Sequence, residues 1–401
     1  MPAIWRRSTR RSRPTSAVEA FRSSDATAAV KAAARACGAH AVRIAAAQPD
    51  AATRARIEDA VARGDLTTWS YDAAYAAAAS DPATLLPGAR SVVCVAVAYA
   101  TPAPPEQRGR GRVSAYAWSD DYHRRMRALL DAIAARIDAL AGAPATRVAC
   151  DTAPLAERAF AAASGLGWIG KHTSLIAKGL GSAVFLGEIV TTLPLVPDPP
   201  LRTSCGACTR CVDVCPTGAL RGDRTMDATR CISDLTQRRD PIPRALRPLI
   251  GAWVWGCDLC NDVCPPTRVA GARGGRASAP REPETAAPDL QALLRLTNAD
   301  FRARYRATAM GWRGASILRR NAAVALGNGL DRADVPALAA SLAEDPSAQV
   351  RGHAAWALGR IGSPAALAAL ARAAQTQDDP SVREEIAAAL GTRTGTGTLV
   401  P

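Results

Sequence analysis

The spacing of the cysteines constrains this chain more than any other feature of its sequence. Eight of its 11 cysteines lie between residues 205 and 264. From residue 205 to residue 216 the chain reads C-x-x-C-x-x-C-x-x-x-C-P, which is the spacing of bacterial ferredoxins. In that arrangement three thiolates surround one [4Fe–4S] cluster, and the fourth cysteine binds the second cluster. The segment is therefore predicted to hold two [4Fe–4S] clusters and to carry electrons.

The second half of the cysteine pattern lacks the first cysteine of the ferredoxin run. Residues 257–265 read C-x-x-C-x-x-x-C-P, and Cys231 is the nearby candidate for the missing ligand. Because the last cysteine of each run binds the other cluster, the ligands divide into two predicted sets. The first set is Cys205, Cys208, Cys211 and Cys264, and the second set is Cys215, Cys231, Cys257 and Cys260.

Zinc is the main alternative to iron and sulfide in this segment. Structural zinc sites use separated cysteine or histidine pairs, which a triple C-x-x-C-x-x-C followed by Cys-Pro does not match. Thiolates at this density also indicate a reducing compartment, since an oxidising one would favour disulfides. The other cysteines, Cys37, Cys94 and Cys150, stand in apolar or alanine-rich surroundings and are predicted to be small buried residues.

The segment from residue 21 to residue 200 is predicted to form an α/β (α+β) domain. Residues 91–99 are a short continuous apolar run, which is typical of a buried strand. A second strand region is predicted at 182–195, and helices are predicted at 27–37, 51–63 and 121–141.

Two further domains are predicted after it. The cysteine-rich domain covers residues 201–267, and a Gly-, Arg- and Pro-rich linker at 268–288 follows. Residues 289–395 contain a repeat, because a similar alanine-rich helix sequence that ends in Ala-Leu-Gly starts at residues 318, 350 and 382, each 32 after the last. A helix-pair repeat of this length predicts a short all-α HEAT-like solenoid.

The chain is basic, with a formal net charge of +14 and a pI near 9.8. Such a charge favours a polyanionic partner, either nucleic acid or an anionic membrane surface. A basic, arginine-rich proteome would give the same balance.

No stretch of the sequence is apolar for long enough to span a bilayer. Residues 1–15 resemble a twin-arginine export signal, but residues 16–22 do not supply the apolar core that such a signal needs. We expect a disordered basic arm on a cytoplasmic, monomeric protein that does not bind membranes. An organelle transit peptide is the alternative.

Clusters only transfer electrons, so the chain needs a site that receives them. The best candidate is Asp151-Thr-Ala-Pro-Leu-Ala-Glu-Arg, followed at residue 165 by Gly-Leu-Gly-Trp-Ile-Gly-Lys-His. The glycines would let the backbone approach a flat ligand closely, although a plain tight turn would have the same composition. Asp151 could equally be a helix cap. The triplet from Asp121 to His123 suggests the cobalamin motif Asp-x-His-x-x-Gly, but Met126 stands where the glycine is needed.

In combination, these motifs resemble the epoxyqueuosine reductase family. The resemblance rests on Asp-Thr-Ala-Pro…Glu-Arg, Gly-Leu-Gly-Trp-Ile-Gly-Lys-His, the eight cysteines, Cys231-Ile-Ser and the HEAT-like tail, and it covers roughly residues 27–391. It implies an oxidoreductase that reduces the epoxide of epoxyqueuosine at the wobble position of tRNA. It further implies a nitroreductase-like first domain that binds base-off cobalamin, electrons from the ferredoxin-type domain, and a HEAT-like domain that holds the anticodon arm.

The resemblance also implies roles for single residues. Asp151 would lie beside the cofactor and give a proton to the departing epoxide oxygen, provided that burial keeps its carboxyl protonated. Leu175 and Leu186 would pack against cobalamin, and Ser233 would lie between cluster and corrin. An external low-potential electron donor would be a partner.

This chain departs from the family at three places. Ala115 stands where the family usually has Arg or Lys, and Ser119-Asp120 stands where it usually has Gly-Arg. Asp234 occupies a usual tyrosine position. These departures affect the cofactor contacts expected in the loop 114–123.

Arginines of the repeat domain are candidates for binding RNA phosphates. Arg319, Arg351 and Arg383 recur at one position of the repeat, where an arginine can instead brace neighbouring helices with its stem buried. The preferred phosphate contacts are Arg313, Arg320 and Arg360, which lie outside that position.

Two other functions remain open from the sequence. A corrinoid reductive dehalogenase would share the clusters and the cofactor, but such enzymes are typically exported and need no basic repeat domain. A non-catalytic electron carrier or scaffold would have no use for Asp151 and the glycine-rich segment.

Overall fold

The computed structural model describes residues 17–66, 71–99, 102–271 and 278–391, and for residues 17–22 it describes the backbone alone. The basic arm predicted at residues 1–15 lies outside the described residues, and so does the centre of the predicted linker, residues 272–277. No helix in the described ranges is long and apolar enough to cross a membrane.

The first segment is built on a four-stranded antiparallel sheet with the strand order β1-β2-β7-β4. Its strands are β1 (Ala41–Ala46), β2 (Ser91–Ala98), β4 (Thr146–Ala149) and β7 (Val184–Thr191). Strand β2 is buried along its whole length, because it lies inside the sheet and both faces are covered. The buried strand predicted at 91–99 is thereby confirmed.

Helices cover both faces of this sheet. The helices of this segment are α1 (Ala17–Ala36), α2 (Ala51–Ala62), α3 (Ala73–Ala79), α4 (Tyr122–Ala141) and α5 (Glu157–Ala163). Of these, α1 and α4 pack on one face of the sheet and α5 packs on the other. Helix α4 buries Met126, Leu130, Ile133 and Ile137 at helical spacing, and its N-cap Asp121 accepts a hydrogen bond from the His123 amide. The three helices and two strands predicted here are found, which confirms the mixed α/β class.

Two short pairs of strands extend the first segment. β5 (Gly167–Ile169) and β6 (Leu175–Ala177) form an antiparallel hairpin. β3 (Arg112–Val113) pairs in parallel with β8 (Trp253–Trp255) of the cysteine-rich segment. The second pairing joins the first segment to the chain immediately before Cys257.

The α-helices of the cysteine-rich segment are all short. They are α6 (Arg210–Asp213), α7 (Ile232–Gln237), α8 (Leu259–Asp262) and α9 (Pro265–Ala270). Cys231 is the N-cap of α7 and Cys264 is the N-cap of α9, with Pro265 at the first helical position. The fixed φ angle of proline favours this helix start.

In the last segment, as far as residue 391, the regular elements are all helices. Its helices are α10 (Pro283–Ala286), α11 (Leu290–Leu294), α12 (Asn298–Arg304), α13 (Ala315–Gly329), α14 (Val335–Glu344), α15 (Ala348–Ile361), α16 (Pro364–Thr376) and α17 (Pro380–Gly391). The repeated sequence lies on α13, α15 and α17, where Leu318, Val350 and Val382 are buried at equivalent positions. The predicted solenoid is thus confirmed.

Arg320 joins this segment to the cysteine-rich one, and its predicted role as a phosphate contact is wrong in this structure. Its side chain is fully buried and donates hydrogen bonds to the carbonyl oxygens of Leu235, Arg238 and Asp240. The neighbouring Asn321 donates to Thr236. A guanidinium without exposed surface cannot reach RNA, so the helix pattern alone misplaced this residue.

We expect Arg320→Ala to lower the free energy of unfolding by about 3 kcal/mol or more. It leaves the buried carbonyls of Leu235 and Arg238 and the partly buried carbonyl of Asp240 without this donor, and each buried unpaired group costs roughly 1–3 kcal/mol. Thermal and denaturant unfolding will measure this. Arg360→Ala, which changes an exposed arginine on α15, is the control and should leave stability almost unchanged. Equal stability of the two variants would contradict the bridging role.

Candidate active site

The cysteines of the first predicted set lie close together. Burial raises the pKa of Cys211, and the charges of Cys205 and Cys264 raise it further. Burial likewise raises the pKa of Cys264, with Cys205 and Cys208 as the sulfur neighbours that add to it. Since such effects need short distances, the fold brings these four sulfurs into one group.

The second predicted set forms its own group. Burial raises the pKa of Cys257, and Cys260 and Cys231 add to that shift. Cys231 in turn is influenced by Cys215. Cys260 interacts with Cys231 and Cys215, and also with Cys211 of the first set. These mutual influences place the sulfurs of the second predicted set near one another and near Cys211 of the first set.

The surroundings of these sulfurs suit thiolate ligands. Burial raises the pKa of Cys231, but the backbone N–H groups of Ser233 and Asp234 donate hydrogen bonds to its sulfur and lower it. Thr267 donates to Cys264 through its hydroxyl and its N–H. In the described residues no three His, Cys, Asp or Glu side chains are arranged around a single metal ion. In a [4Fe–4S] cluster each cysteine binds a different iron, and N–H groups near the sulfurs tune its potential.

Asp151 lies just after β4, in a loop that leads into α5. Its φ angle is 53°, in the left-handed region that asparagine and aspartate tolerate better than most residues. About half of its side chain is exposed (51%), so the burial expected from the sequence is absent. The carboxylate is therefore open to solvent on one side and to neighbouring side chains on the other.

His123 is the side chain that contacts the Asp151 carboxylate. Its Nδ1 lies 2.6 Å from Asp121 Oδ1 and its Nε2 lies 2.9 Å from Asp151 Oδ2. Burial alone would lower the pKa of His123, but the two carboxylates raise it to about 9. With both ring nitrogens facing acceptors, the imidazolium form donates to both. Sequence reasoning missed this role, because it tested Asp121-Tyr-His only as a cobalamin motif.

The aromatic residues next to His123 connect it to the cysteine-rich segment. The Tyr122 ring stacks on His123 at 4.0 Å and meets Tyr116 edge-on at 6.3 Å between centroids. Tyr116 is hydrogen-bonded to Gln237, whose Nε2 donates to Ser233 Oγ at 3.1 Å. Ser233 is two residues after Cys231, so a continuous set of contacts runs from the second cysteine group to Asp151.

The other predicted cofactor contacts lie in the first segment. Leu175 on β6 is buried (2% exposed) and packs in the apolar core beneath the loop of Asp151. Leu186 on β7 is partly exposed and packs against the same core. Both therefore belong to one apolar core, and Leu186 is the more accessible of the two.

The glycine-rich segment serves the protein's own backbone rather than a ligand. A Cβ on Gly165 would come within 2.2 Å of the Pro199 carbonyl oxygen, and one on Gly167 within 2.2 Å of the Ile176 carbonyl oxygen. The close approach inferred from the sequence is real, but the approaching atoms belong to the chain, and the plain-turn alternative applies.

A cavity of about 210 Å³ lies between the first and the cysteine-rich segments. Tyr99, Ala115 and Ala183 line it from one side, and Asp258 and Asn261 from the other. Asp258, next to Cys257, accepts hydrogen bonds from Ser114 Oγ at 2.6 Å and from the Ala115 N–H at 2.7 Å. The loop that departs from the family pattern is therefore fixed to the cysteine-rich segment by its backbone and Ser114, not by the side chain at position 115.

The remaining arginines divide into two classes. Arg319 binds Asp345 at 2.7 Å, and Arg351 donates to the Asp345 carbonyl, so both brace neighbouring helices. Arg313 is partly exposed and lies 3.6 Å over the Trp312 ring, and Arg360 is exposed. Arg313 and Arg360 keep the accessibility that a phosphate contact requires.

Three known families match parts of this chain. Residues 80–152 match the family described as Epoxyqueuosine reductase QueG, DUF1730. Residues 204–267 match a 4Fe-4S double cluster binding domain, and residues 313–391 match HEAT repeats.

Whole-chain relatives have the same name. The epoxyqueuosine reductase of Bacillus cereus is 36% identical over 312 residues, which are 77% of this chain and 82% of the relative. That of Pseudomonas aeruginosa is 39% identical over 304 residues, covering 73% and 82%. Among solved structures, an epoxyqueuosine reductase with an epoxyqueuosine-modified tRNA-Tyr stem loop matches with a TM-score of 0.84 at 32% identity, over 90% of this chain and 97% of that one.

We predict about eight irons and eight sulfides per chain after anaerobic purification, from the two four-cysteine groups. Cys231→Ala should retain about half of each, because it removes a ligand of one group only. Metal and sulfide analysis will measure this. Cys37→Ser, outside the cysteine-rich segment, is the control and should keep the full content. Stoichiometric zinc, or full iron in the Cys231 variant, would contradict the ligand sets.

We predict that His123 remains protonated up to a pH of about 9. Its folded pKa is above the ordinary value, so the stability it contributes is complete below about pH 6.5 and is lost as the pH rises through 9. Asp151→Asn should lower this pKa by removing one carboxylate. NMR of ¹³C-labelled histidine side chains, of which there are four, will measure it. A pKa near 6.5 in the unmodified protein would contradict the His123–Asp151 contact.

Proposed function

This chain belongs to the epoxyqueuosine reductase family of oxidoreductases, and from that premise we propose that it reduces the epoxide of epoxyqueuosine at the wobble position of tRNA. Reduction to the cyclopentene consumes two electrons and two protons per epoxide and releases the oxygen as water. The observation that carries the proposal is the His123–Asp151 pair. Contacts through Tyr122, Tyr116 and Gln237 connect this pair with α7, the helix that begins at the predicted cluster ligand Cys231.

The proposed cofactors are two [4Fe–4S] clusters and base-off cobalamin. The two groups of sulfurs would hold the clusters, and the cobalamin would bind between the first and the cysteine-rich segments, near Leu186, Ser233 and Asp151. When bound, cobalamin supplies a low-potential centre that can attack a carbon of a C–O bond. The contacts that run from Ser233 through Gln237, Tyr116 and Tyr122 to His123 and Asp151 support this placement.

Electrons would enter at the first cysteine group. The residues around Cys205 and Cys208 are exposed, which gives an external low-potential donor access to them. Cys260 lies within electrostatic reach of Cys211, so electrons would pass from the first cysteine group to the second. From the second group, the contacts that begin at Ser233 would connect the clusters with the site of Asp151. The domains proposed for these tasks are residues 21–200, 201–267 and 289–395.

Asp151 would donate the proton to the departing epoxide oxygen, and His123 would keep Asp151 supplied. The imidazolium faces the Asp151 carboxylate through Nε2, and Asp121 stabilises its charge from the other side. In the proposed step the proton on Nε2 would move to Asp151 Oδ2 as the Asp151 carboxyl passes a proton to the departing oxygen, which would leave His123 neutral between the two carboxylates.

The RNA would lie on the basic last segment, with its anticodon arm against Arg313 and Arg360. Single-stranded bases of RNA are commonly stacked on aromatic or arginine surfaces, and Arg313 over Trp312 provides both. The related structure with a modified tRNA stem loop supports this choice of partner.

We expect the protein to convert epoxyqueuosine in tRNA, and Asp151→Asn to lower kcat by about 10²–10⁴, the usual range for loss of a general acid. Cluster and cobalamin content should not change. Mass spectrometry of tRNA nucleosides will follow the conversion. Asp131→Asn, which changes an exposed aspartate paired with Arg127 on α4, is the control. A near-normal rate in the Asp151 variant would show that another group gives the proton.

We expect Arg313→Ala and Arg360→Ala to weaken tRNA binding and to flatten its salt dependence. Each lost phosphate contact should reduce the slope of log K against log salt by roughly 0.7–0.9. Arg54→Ala, which removes an exposed charge on α2, is the control. Binding titrations at several salt concentrations will measure both quantities. Unchanged slopes in both variants would place the RNA on another surface.

A further inference from the structure

Glu188 is an unusual residue for the centre of a sheet. It lies on β7 between Cys94 of β2 and Ala149 of β4, and its side chain points to the same face as theirs. That face is covered by an apolar core, and Glu188 has no exposed surface. Neither carboxylate oxygen accepts a hydrogen bond from any N–H or O–H of the described protein. A buried ionised carboxylate without donors is very costly, so this one must be neutral.

The neutral form has one place for its proton. The side chain of Glu188 is in hydrogen-bonding contact with that of Glu157, the first residue of α5. Two ionised carboxylates cannot form a hydrogen bond, so the contact requires a proton between them. Burial raises the pKa of both groups, the charge of Glu157 raises the pKa of Glu188 further, and the hydrogen bond with Glu188 lowers that of Glu157. Glu188 therefore acts as the donor and Glu157 as the acceptor.

Glu157 also accepts a hydrogen bond from the loop of Asp151. Its Oε1 lies 2.5 Å from the backbone N of Asp151. The left-handed φ angle of Asp151 is a conformation that persists only where its surroundings enforce it. The side chain of Asp151 is held by His123, and its amide is held by Glu157, so the loop has one contact on each side.

We propose that Glu188 is a positioning residue for the proposed reaction. Its protonated carboxyl donates to Glu157, fixes that carboxylate against the Asp151 amide, and so keeps the Asp151 carboxyl directed at the reacting oxygen. The inference rests on the proposed function for its catalytic consequence, but the contact between Glu188, Glu157 and Asp151 stands apart from it. Without the Glu188 donor, the Glu157 side chain could rotate away, and the loop would lose the hydrogen bond between Glu157 and the Asp151 amide.

Two substitutions separate positioning from packing. Glu188→Leu fills the space but removes the donor, and exchanging a buried polar group for an apolar one of similar shape can be neutral or stabilising. We expect its melting temperature to be unchanged or raised while kcat falls by about 10²-fold, the effect of a displacement of roughly 1 Å at a reacting group. KM for the modified tRNA, cluster content and cobalamin content should stay as they are. Glu188→Gln keeps an N–H donor toward Glu157 and should recover most of the lost kcat.

A readout independent of activity is amide hydrogen exchange of the peptide that contains Asp151. We expect faster exchange there in Glu188→Leu than in the unmodified protein or in Glu188→Gln. Ile189→Val is the matched control, since it lies next in the strand, points to the other face and costs about 0.5–1.5 kcal/mol without touching the loop. It should lower stability and leave exchange at Asp151 unchanged.

Each outcome of these experiments either supports or overturns the positioning role of Glu188. Unchanged exchange and unchanged kcat in Glu188→Leu would overturn the proposal. A Glu188→Gln variant as slow as Glu188→Leu would also overturn it, because the proton itself, rather than the hydrogen bond, would then be needed. Faster exchange in Glu188→Leu and normal exchange in Glu188→Gln, in a protein without any activity on epoxyqueuosine, would uphold the positioning and refute the proposed function.

Discussion

The packing of this protein depends on bringing eight cysteine sulfurs into two adjacent groups. The ligands come from three stretches of chain, and each stretch is held in place by another part of the fold. β8, just before Cys257, pairs with β3 of the first segment, and α7, which begins at Cys231, receives Arg320 from the last segment. Short helices with so little core of their own cannot supply this order alone. The cysteine-rich segment therefore organises the contacts between the other two.

The same arrangement brings charge and protons to one place. From Ser233 the contacts run through Gln237 and Tyr116 to Tyr122 and His123, so that the predicted electron route and the proposed proton donor end at the same point. At that point four carboxyl groups have different tasks because their surroundings differ. The carboxylates of Asp121 and Asp151 flank the His123 imidazolium. Burial in an apolar core raises the pKa of Glu157 and Glu188 and favours a proton shared between them.

The last segment shows how one residue type serves two purposes. Arginines on α13 and α15 that face inward are hydrogen-bonded to carbonyls or carboxylates and hold helices together, as Arg320 and Arg319 do. Arginines that face outward, such as Arg360, are accessible to solvent. The net charge of the chain counts both alike, although only the second kind can attract a polyanion.

The sequence by itself determined the classes of the three segments and the cysteine pattern of a double-cluster domain. Cysteine spacing predicted two ligand sets, apolar runs predicted β2 and α4, and a constant 32-residue offset predicted the repeat, because each of these is a local pattern. The tertiary structure alone decided which polar groups meet. The contact between His123 and Asp151 spans 28 residues, that between Arg320 and Leu235 spans 85, and Glu188 meets Glu157 from another element. Burial, protonation and accessibility depend on such neighbours, and residues distant in sequence become neighbours only when the chain folds.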